Sequence, residues 1–301
     1  MRLRDAEREV RINLAYQISR RLVAKRQAKS AGRGGKAQSW DAYGESRHEG
    51  LRTQLQSTFG LETAKGKVIL DFGCGDGALA TTLMDCGAAA VHGVDVSDDV
   101  LRRFAERLTR YAGETAPTFS RNSSATRIDL SDQSFDAIYC FDVLEHVMAY
   151  REIIGEWRRV LKPGGIVYIS WQPYWHPFGH HAHDWVPIPW AHAFLDIREL
   201  NEVCARVVDW DGFSAPIWDR DDSGVKKNRF RAANTGDGFL NKLTVHEFER
   251  IVEEVGFLVR HRKFQPFSGP TPVRAISLLM THIPKARDFF TAFALYELVA
   301  T

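Results

Sequence analysis

Residues 68–80, VILDFGCGDGALA, constrain the fold more than any other stretch of the chain. A short apolar run leads into a glycine-rich turn, and an apolar-periodic segment follows it. That order predicts a buried strand, a tight turn and a helix. From residue 67 the same alternation of short apolar runs and helical stretches continues through GIVYISW, the fifth predicted strand. The pattern is typical of βαβ units and indicates an α/β fold with a parallel, doubly wound sheet.

The regular pattern breaks after Trp171 for about 70 residues that are rich in Trp, His, Pro and Asp. It resumes with a capped helix at LTVHEFERIVEEVG and strands at FLVRHRKF and FTAFALYELVA. The last strand would leave an exposed apolar edge if it stayed unpaired. We therefore predict four segments: a basic N-terminal helix and linker (1–45), a ligand-binding core (46–171), a cover or lid inserted after the fifth strand (172–243) and the last core elements (244–301).

Composition narrows the class of protein. The chain has 301 residues, 44% hydrophobic residues and a net charge of +2, values that indicate no nucleic-acid partner. Its apolar runs are shorter than the roughly 20 residues that a spanning helix needs. Its four cysteines lack metal-ligand spacing, and the N-terminus has no apolar leader. We expect a cytoplasmic protein.

The N-terminal 36 residues are rich in Lys and Arg. Apolar residues recur there at near-helical spacing: Ile12, Leu14, Ala15, Ile18, Leu22 and Val23. This stripe packs on the protein or a partner subunit, or the helix contacts an anionic surface. The next residues, KSAGRGGKAQS, predict a flexible linker or lid hinge.

The glycine-rich turn carries information about its ligand. Its third glycine, Gly77, comes one residue earlier than in the dinucleotide G-x-G-x-x-G pattern, and Asp71 and Asp76 place two carboxylates in the turn. Carboxylates repel phosphates and suit a cationic ligand. Asp95 follows the second strand, where a carboxylate can accept hydrogen bonds from the ribose hydroxyls of an adenosine. Asp76 could instead cap the next helix.

Four motifs in order, VILDFGCGDGALA, VHGVDVS, SFDAIYCFDVLEHV and EWRRVLKPGGIVYIS, resemble the class I S-adenosylmethionine-dependent methyltransferases. The small-molecule group with an LEHV motif is the most similar. The resemblance implies a Rossmann-like seven-stranded sheet with a reversed last strand, and S-adenosylmethionine as cofactor. It also implies these cofactor-binding residues: Asp71, Gly73, Cys74, Gly75, Asp76, Gly77, Asp95, Val96, Ser124, Ala125, Phe141 and Asp142.

One position departs from the family pattern. Ser124 stands where the family usually has an acidic residue against the adenine edge. Either Ser124 makes a weaker hydrogen bond there, or Asp129 or Asn122 substitutes for the acid. In the LEHV motif, Glu145 and His146 usually have structural roles in the family, with a catalytic His146 as the alternative.

The segment SWQPYWHPFGHHAHDWVPIPWAHAF suggests a substrate cover. Three interpretations stay open: a histidine general base that Asp184 would orient, a divalent metal site, or a packed structural loop. We predict the first, with His180, His181 and His183 as candidate bases, and assign no metal ligand. Its tryptophans suit stacking on a sugar or an aromatic acceptor.

We predict O-methylation of a small hydroxylated compound such as a sugar or glycan unit. The alternative acceptor is lipid-like or quinone-like and is methylated on carbon or nitrogen. From other classes, a nicotinamide-dependent oxidoreductase and a non-catalytic scaffold stay open. The partners that we expect are a small-molecule acceptor, a homodimer mate and an anionic surface at the N-terminus.

Overall fold

A computed structural model describes residues 2–30, 40–221, 223–232, 240–267 and 269–301. The chain forms two compact units, each made of two separate stretches of sequence. The helical unit comprises Met1–Tyr43 and Tyr174–Leu240, and the sheet unit comprises Gly44–Pro173 and Asn241–Thr301. The predicted segments 1–45 and 172–243 thus fall largely into one unit, a grouping that the sequence did not indicate. Whether the units are functional domains stays a prediction.

The sheet unit contains seven strands in the order β3-β2-β1-β4-β5-β7-β6. The first five pair in parallel, and β7 pairs antiparallel with both β5 and β6. This arrangement confirms the Rossmann-like α/β fold with a reversed last strand. The strands are β1 Val68–Phe72, β2 Ala90–Asp95, β3 Thr118–Arg121, β4 Phe135–Phe141, β5 Leu161–Trp171, β6 Phe257–Pro266 and β7 Thr291–Ala300.

Helices connect and flank the strands. In chain order they are α1 Arg2–Ser30, α2 Trp40–Thr58, α3 Ala78–Asp85, α4 Asp98–Leu108, α5 Tyr150–Val160, α6 Ile197–Asp209, α7 Arg229–Ala232, α8 Val245–Glu254, α9 Thr271–Thr281 and α10 Arg287–Phe290. No helix in the described ranges is long and apolar enough to cross a membrane. The predicted cytoplasmic location stays a prediction.

Two details of the sheet correct the sequence analysis. The fifth strand starts earlier than the predicted GIVYISW: the KPGG sequence before it lies inside β5, which begins at Leu161. Gly164 adopts φ +76° there, a conformation that favours glycine and lets the strand bend through the Pro-Gly pair. The last strand leaves no apolar edge, because β7 is hydrogen-bonded on both sides.

The core of the sheet unit lies on both faces of the sheet, as expected for strands covered by helices. On one face Trp157 of α5 is fully buried and packs edge-on against Phe72, with ring centroids 5.5 Å apart. On the other face, Phe104 of α4 and Leu83 of α3 are fully buried. These contacts fix the carboxyl ends of β1, β2 and β4, where the functional residues lie.

The helical unit is built around α1 and α6. The buried residues of α1 include Ile12, Ala15 and Val23, and Val203 and Val207 of α6 belong to the same core. Of the apolar residues predicted to pack, these three residues of α1 are buried, whereas Leu14 is 61% exposed and Ile18 and Leu22 are 40% exposed each. The predicted linker lies mostly outside the described residues.

Helix α6 was missed within the segment predicted to be irregular. It begins with a capping box, in which the Asp196 side chain accepts from the Glu199 N–H and the Glu199 side chain accepts from the Asp196 N–H. Buried Glu199 also accepts a hydrogen bond from Arg11 of α1 at 2.5 Å. A local cap and a long-range ion pair therefore define the start of this helix.

Candidate functional site

The glycine-rich turn links β1 to α3 and is anchored to β2. The N–H groups of Gly73 and Cys74 both donate to the Val94 carbonyl oxygen, at 2.8 and 3.0 Å. Gly77 is the left-handed N-cap of α3, and a Cβ there would lie 2.2 Å from the Phe104 ring. Gly75 has φ +53°, and a Cβ there would meet no heavy atom within 4 Å. The turn is therefore packed tightly against Phe104 at Gly77, whereas the space beside Gly75 is open.

Asp71, in β1, is a buried carboxylate without a full set of partners. It is 1% exposed, and its Oδ2 has no hydrogen-bond partner among the described residues. Burial and the nearby Asp95 raise the pKa of Asp71 to about 7, although Arg47 of α2 opposes the rise. A buried charge without a partner is costly, so this oxygen is available to a cationic ligand.

A second carboxylate of the same kind follows β4. Asp142 adopts φ +57°, unusual for a residue with a side chain, and its N–H donates to the Ser170 carbonyl oxygen of β5 at 2.8 Å. Its Oδ1 is also buried without a hydrogen-bond partner among the described residues. Burial raises the pKa of Asp142, and Arg47 opposes the rise. Arg47 thus acts electrostatically on both carboxylates.

Asp95 holds the turn in place. Its Oδ2 accepts from the Gly75 N–H and its Oδ1 from the Ser97 N–H, each at 3.0 Å. Because a carboxylate has about four acceptor positions, both oxygens can accept further hydrogen bonds from a ligand. Val96, beside it, is 62% exposed and offers an apolar surface for a flat ring. This geometry agrees with the predicted roles of Asp95 and Val96.

Asp76 has a partner within the protein. Its Oδ2 accepts from Arg107 at 2.7 Å, and the Arg107 Nε donates to the Asp76 carbonyl oxygen. The ion pair links the turn to the end of α4 and neutralises the carboxylate. Its contact of 3.4 Å with the Ala78 N–H is too long to cap the helix well. Its predicted role as a cofactor ligand stays untested.

The loop after β3 contains the predicted adenine contacts. The Ser124 hydroxyl oxygen accepts from the N–H groups of Thr126 and Arg127, at 3.2 and 3.1 Å. The Asn122 amide donates to two backbone carbonyls, and Asp129 accepts from both the N–H and the hydroxyl of Ser123. Asn122 and Asp129, the two predicted substitutes for Ser124, therefore already make hydrogen bonds within the loop. The backbone of exposed Ala125 stays a candidate for the adenine edge.

Phe141 and Cys74 line the site from within the core. Phe141 is 4% exposed, and its ring centroid lies 5.7 Å from that of Phe59. Burial strongly raises the pKa of the Cys74 thiol, and Asp71 and Asp95 add to the rise. Cys74 is thus a neutral thiol that fills space beside the carboxylates.

Glu145 lies in the short 3-10 turn after β4. It is 2% exposed, and burial together with the nearby Asp142 raises its pKa to about 8. The backbone N–H groups of Glu145 and Gln172 partly oppose this rise in pKa. His146, the next residue, is exposed. A carboxyl that titrates near neutral pH is a candidate for proton transfer, which the sequence did not indicate.

Sequence reasoning missed Arg47 and the acid–base character of Glu145. Arg47 lies in α2, before the first strand, and no periodicity or motif connects it to Asp71 or Asp142. Glu145 was noted only as a structural part of the LEHV motif. Its raised pKa depends on burial, which becomes visible only in three dimensions.

The predicted histidine bases lie in the helical unit. His180 is 5% exposed, its Nδ1 accepts from the Ala182 N–H at 3.0 Å, and burial together with the nearby His192 lowers its pKa to about 3. Burial likewise lowers the pKa of His176 to about 4. Both imidazoles are neutral at physiological pH and too weakly basic to serve well as general bases there. The structure thus argues against His180 in that role.

His183 and His181 differ from His180 in their surroundings. The His183 side chain is 57% exposed, and its Nε2 lies 3.9 Å from the Asp184 Oδ1, beyond hydrogen-bond distance. Asp184 lies closer to Arg26 of α1, at 3.5 Å. Asp184 therefore does not orient His183 as a base. His181 is half-buried with φ +53°. The roles of His181 and His183 stay predictions.

The tryptophans correct the stacking hypothesis in part. Trp171 is fully buried in β5, with its ring centroid 5.8 Å from that of Phe248. Trp185 is 4% exposed, and its Nε1 donates to the Asp219 Oδ2 at 2.7 Å. Both rings belong to the cores of their units and cannot stack on an acceptor. Asp219 is itself fully buried and lies 3.5 Å from Arg229.

The donor set of the sheet unit fits S-adenosylmethionine. Asp71 and Asp142 provide buried carboxylate oxygens for a cationic group, and Gly75 leaves room above the turn. Asp95 can accept from hydroxyls, and Val96 offers an apolar surface. These features occur together at the carboxyl ends of β1, β2 and β4, where doubly wound sheets bind ligands.

Comparisons with known proteins agree with this geometry. Residues 70–169 match the family described as "Methyltransferase domain". The chain is 32% identical over 133 residues to the ubiquinone biosynthesis O-methyltransferase of Methylococcus capsulatus, covering 44% of this chain and 55% of the relative. The protein of the same name from Hydrogenovibrio crunogenus is 31% identical, covering 44% and 54%. The chain therefore spans about half the length of these curated relatives.

A similar solved structure is the phosphoethanolamine N-methyltransferase 2 of Haemonchus contortus in complex with S-adenosyl-L-methionine. Its TM-score is 0.51 at 16% identity, over 84% of this chain and 52% of that one, and it shows the fold alone. The LEHV subgroup stays a prediction. The matches to the domain family and to the O-methyltransferases confirm the predicted methyltransferase class and its cofactor. Residues 70–169 therefore match a methyltransferase domain, and they lie in a sheet unit that has the methyltransferase fold.

Proposed function

We propose that the chain is an O-methyltransferase that transfers a methyl group from S-adenosylmethionine to a hydroxyl of a quinone-like ring compound. The relatives named ubiquinone biosynthesis O-methyltransferase support the quinone-like acceptor and favour it over the sugar or glycan predicted from the sequence. Transfer to oxygen agrees with the sequence prediction. The proposal thus takes transfer to oxygen from the first sequence hypothesis and the quinone-like acceptor from its alternative.

One observation carries the proposal: the unpartnered oxygens of Asp71 and Asp142 at the carboxyl ends of β1 and β4. Both are fixed by rigid strands, and both face the electrostatic influence of Arg47. Bound S-adenosylmethionine supplies an activated methyl group on a sulfonium. The carboxylates hold its positive charges, and Asp95 holds its ribose hydroxyls. The same acidic set disfavours the pyrophosphate of a nicotinamide dinucleotide.

A hydroxyl acceptor must lose its proton as the methyl group arrives, and we assign that role to Glu145. Its pKa of about 8 lies close to physiological pH, where a base combines a useful ionised fraction with adequate strength. His146, exposed beside Glu145, stays the alternative base from the sequence analysis.

Calorimetry and a methyl-transfer assay test the proposal. Titration with S-adenosylhomocysteine and with NAD should show binding of the first and none of the second. Transfer of labelled methyl from S-adenosylmethionine should reach a catechol, such as 3,4-dihydroxybenzoate, and not a methyl glycoside. NAD binding alone would favour an oxidoreductase. Cofactor binding with no transfer to a panel of phenols, catechols and sugars would favour a scaffold.

The Glu145→Gln variant tests the base. Its kcat should fall about 100-fold while cofactor affinity stays within a factor of three, the range typical of a lost general base. In the wild type, kcat should rise with pH through about 8, because the ionised carboxylate is the active form; the variant should lose that rise. If His146→Asn removes the rise and Glu145→Gln keeps it, His146 is the base.

A further inference from the structure

Helix α9, in the connection between β6 and β7, places its polar residues inward. Ser277 and Thr281, one turn apart, are the buried residues of this helix. The Ser277 hydroxyl donates to the Phe290 carbonyl oxygen at 2.9 Å, and the Thr281 hydroxyl donates to the Leu278 carbonyl oxygen at 2.7 Å. A surface helix normally has the opposite arrangement, with its apolar stripe facing the core.

The outer side of this connection is apolar. Ile276 and Leu279 are 57% and 64% exposed and follow one another at helical spacing. Single exposed apolar residues are ordinary, but a contiguous group marks an interaction surface. The exposed large hydrophobic residues of the connection are Val273, Ile276, Leu278, Leu279, Ile283 and Phe289.

The surroundings of this apolar face are strongly basic. Residues 257–290 contain six Lys and Arg residues and one acidic residue, Asp288; of the six, Arg260 and Arg262 pair with Glu297 and Glu249 outside this range. Asp288 accepts a hydrogen bond from the Val245 N–H at 2.8 Å. Lys263, Arg274 and Lys285 have no ion-pair partner in the described part of the chain. The region therefore presents net positive charge beside an apolar surface.

A groove of about 840 Å³ lies between β6 and α9. Basic and apolar side chains line it together, among them Arg262, Lys263, Phe264, Arg274 and Leu278. The Arg287 guanidinium lies over the Phe264 ring at 4.5 Å from its centroid. Guanidinium and ammonium groups beside aromatic and aliphatic carbon suit a molecule that has an anionic head and an apolar body.

We propose that the outer face of α9 and the adjacent groove form a docking surface for an anionic phospholipid membrane. Ile276, Leu279 and Ile283 enter the boundary between headgroups and acyl chains, and Arg274 and Lys285 meet the phosphates. The area of apolar contact and the attraction of anionic lipid both contribute to such interfacial binding.

The charges favour a membrane over a second copy of this chain. In a two-fold symmetric dimer the same patch meets itself, so the basic rim would face another basic rim. Like charges in contact across an interface oppose association, whereas anionic headgroups attract them. The proposal does not depend on the proposed function, because vesicle binding requires neither cofactor nor turnover.

The test is sedimentation of the full chain with vesicles of phosphatidylcholine alone or mixed with phosphatidylglycerol, at low and high salt. The wild type should bind the anionic vesicles and release them as salt rises. The double variant Ile276→Glu/Leu279→Glu should lose at least about tenfold in partitioning, and Arg274→Glu/Lys285→Glu should lose the preference for anionic lipid. Since these side chains are exposed, the variants should keep their circular dichroism spectra.

Two further variants test whether vesicle binding is specific to α9. Phe194→Glu replaces an apolar residue that is 74% exposed in the helical unit, and it should bind vesicles like the wild type. Leu14→Glu/Ile18→Glu changes the exposed side of α1 and should also leave binding unchanged. The proposal is overturned if the α9 variants bind like the wild type or if the α1 variant abolishes binding. It is also overturned if the wild type ignores vesicles and forms a dimer that the α9 variants dissociate.

Discussion

Both units of the molecule contain buried carboxylates, but these carboxylates differ in whether they have partners within the protein. In the helical unit, Glu199 accepts from Arg11; Asp219 accepts from Trp185 through Oδ2, and its Oδ1 is ion-paired with the Arg229 Nε at 3.5 Å. In the sheet unit, Asp71 and Asp142 each have a buried oxygen without a hydrogen-bond partner among the described residues. A buried carboxylate that is paired within the protein serves structure, whereas one that lacks a partner provides a ligand site.

The largest expected effect concerns ligand binding. Asp71→Asn should weaken S-adenosylhomocysteine binding about 100-fold by calorimetry, because it removes a charged acceptor from a buried site. The same variant should unfold no more easily than the wild type at pH 8, since it removes a buried charge whose ionisation costs stability. Asp99→Asn, at an exposed residue of α4, is the matched control and should bind normally. Equal affinities of Asp71→Asn and the wild type would contradict the assignment.

The next effect concerns folding. Asp219→Ala should lower the free energy of unfolding by about 2 kcal/mol, because it leaves the buried Trp185 Nε1–H without its acceptor and Arg229 without its partner. Urea titration followed by tryptophan fluorescence measures this change. Affinity for S-adenosylhomocysteine should stay within a factor of three. If Asp219→Ala instead kept its stability and bound S-adenosylhomocysteine weakly, Asp219 would belong to a ligand site and the contrast between the two units would be wrong.

The dependence of binding on pH should follow Asp71. Its pKa of about 7 leaves the carboxylate mostly ionised at pH 7.5 and mostly protonated at pH 5.5. Affinity for a cationic ligand should therefore fall about 20-fold between these values as the ionised fraction falls. Asp71→Asn should show a much flatter profile in the same calorimetric series. If the affinity of Asp71→Asn depended equally steeply on pH, another group would be responsible for the pH dependence.

The smallest effect is expected at His180. Its pKa of about 3 keeps the imidazole neutral and weakly basic, so His180→Gln should change kcat by less than about threefold. The methyl-transfer assay with a catechol measures this, with Glu145→Gln as the sensitive comparison. A loss as large as that of Glu145→Gln would restore the histidine base that the sequence suggests.

The sheet was predictable because its pattern is local. The alternation of apolar runs and periodic helices, with glycine and proline between them, marks β1 to β5 without any distant contact. Asp71 and Asp95 were placed correctly at strand ends for the same reason. Helix α6 had a local signal, Asp196 with Glu199 three residues later, but its aromatic and proline-rich flank outweighed that signal.

What the sequence could not provide depends on contacts between distant residues. Arg47 influences two carboxylates that follow it by 24 and 95 positions. The pKa of Glu145 depends on how deeply its turn is buried, and that of His180 on the imidazoles packed around it. Helix α9 was missed because it turns small polar residues inward and apolar ones outward, the reverse of the usual pattern.

The composition of the helical unit from two distant stretches has a consequence for synthesis of the chain. Helix α1 leaves the ribosome before its packing partner α6, which is encoded about 170 residues later. At 5–20 residues per second, α1 waits roughly 10–30 s with Ile12, Ala15 and Val23 uncovered. During that interval the nascent chain exposes an apolar helix to chaperones and to neighbouring chains. The order of synthesis, rather than final stability, is then what makes the N-terminal helix vulnerable to aggregation.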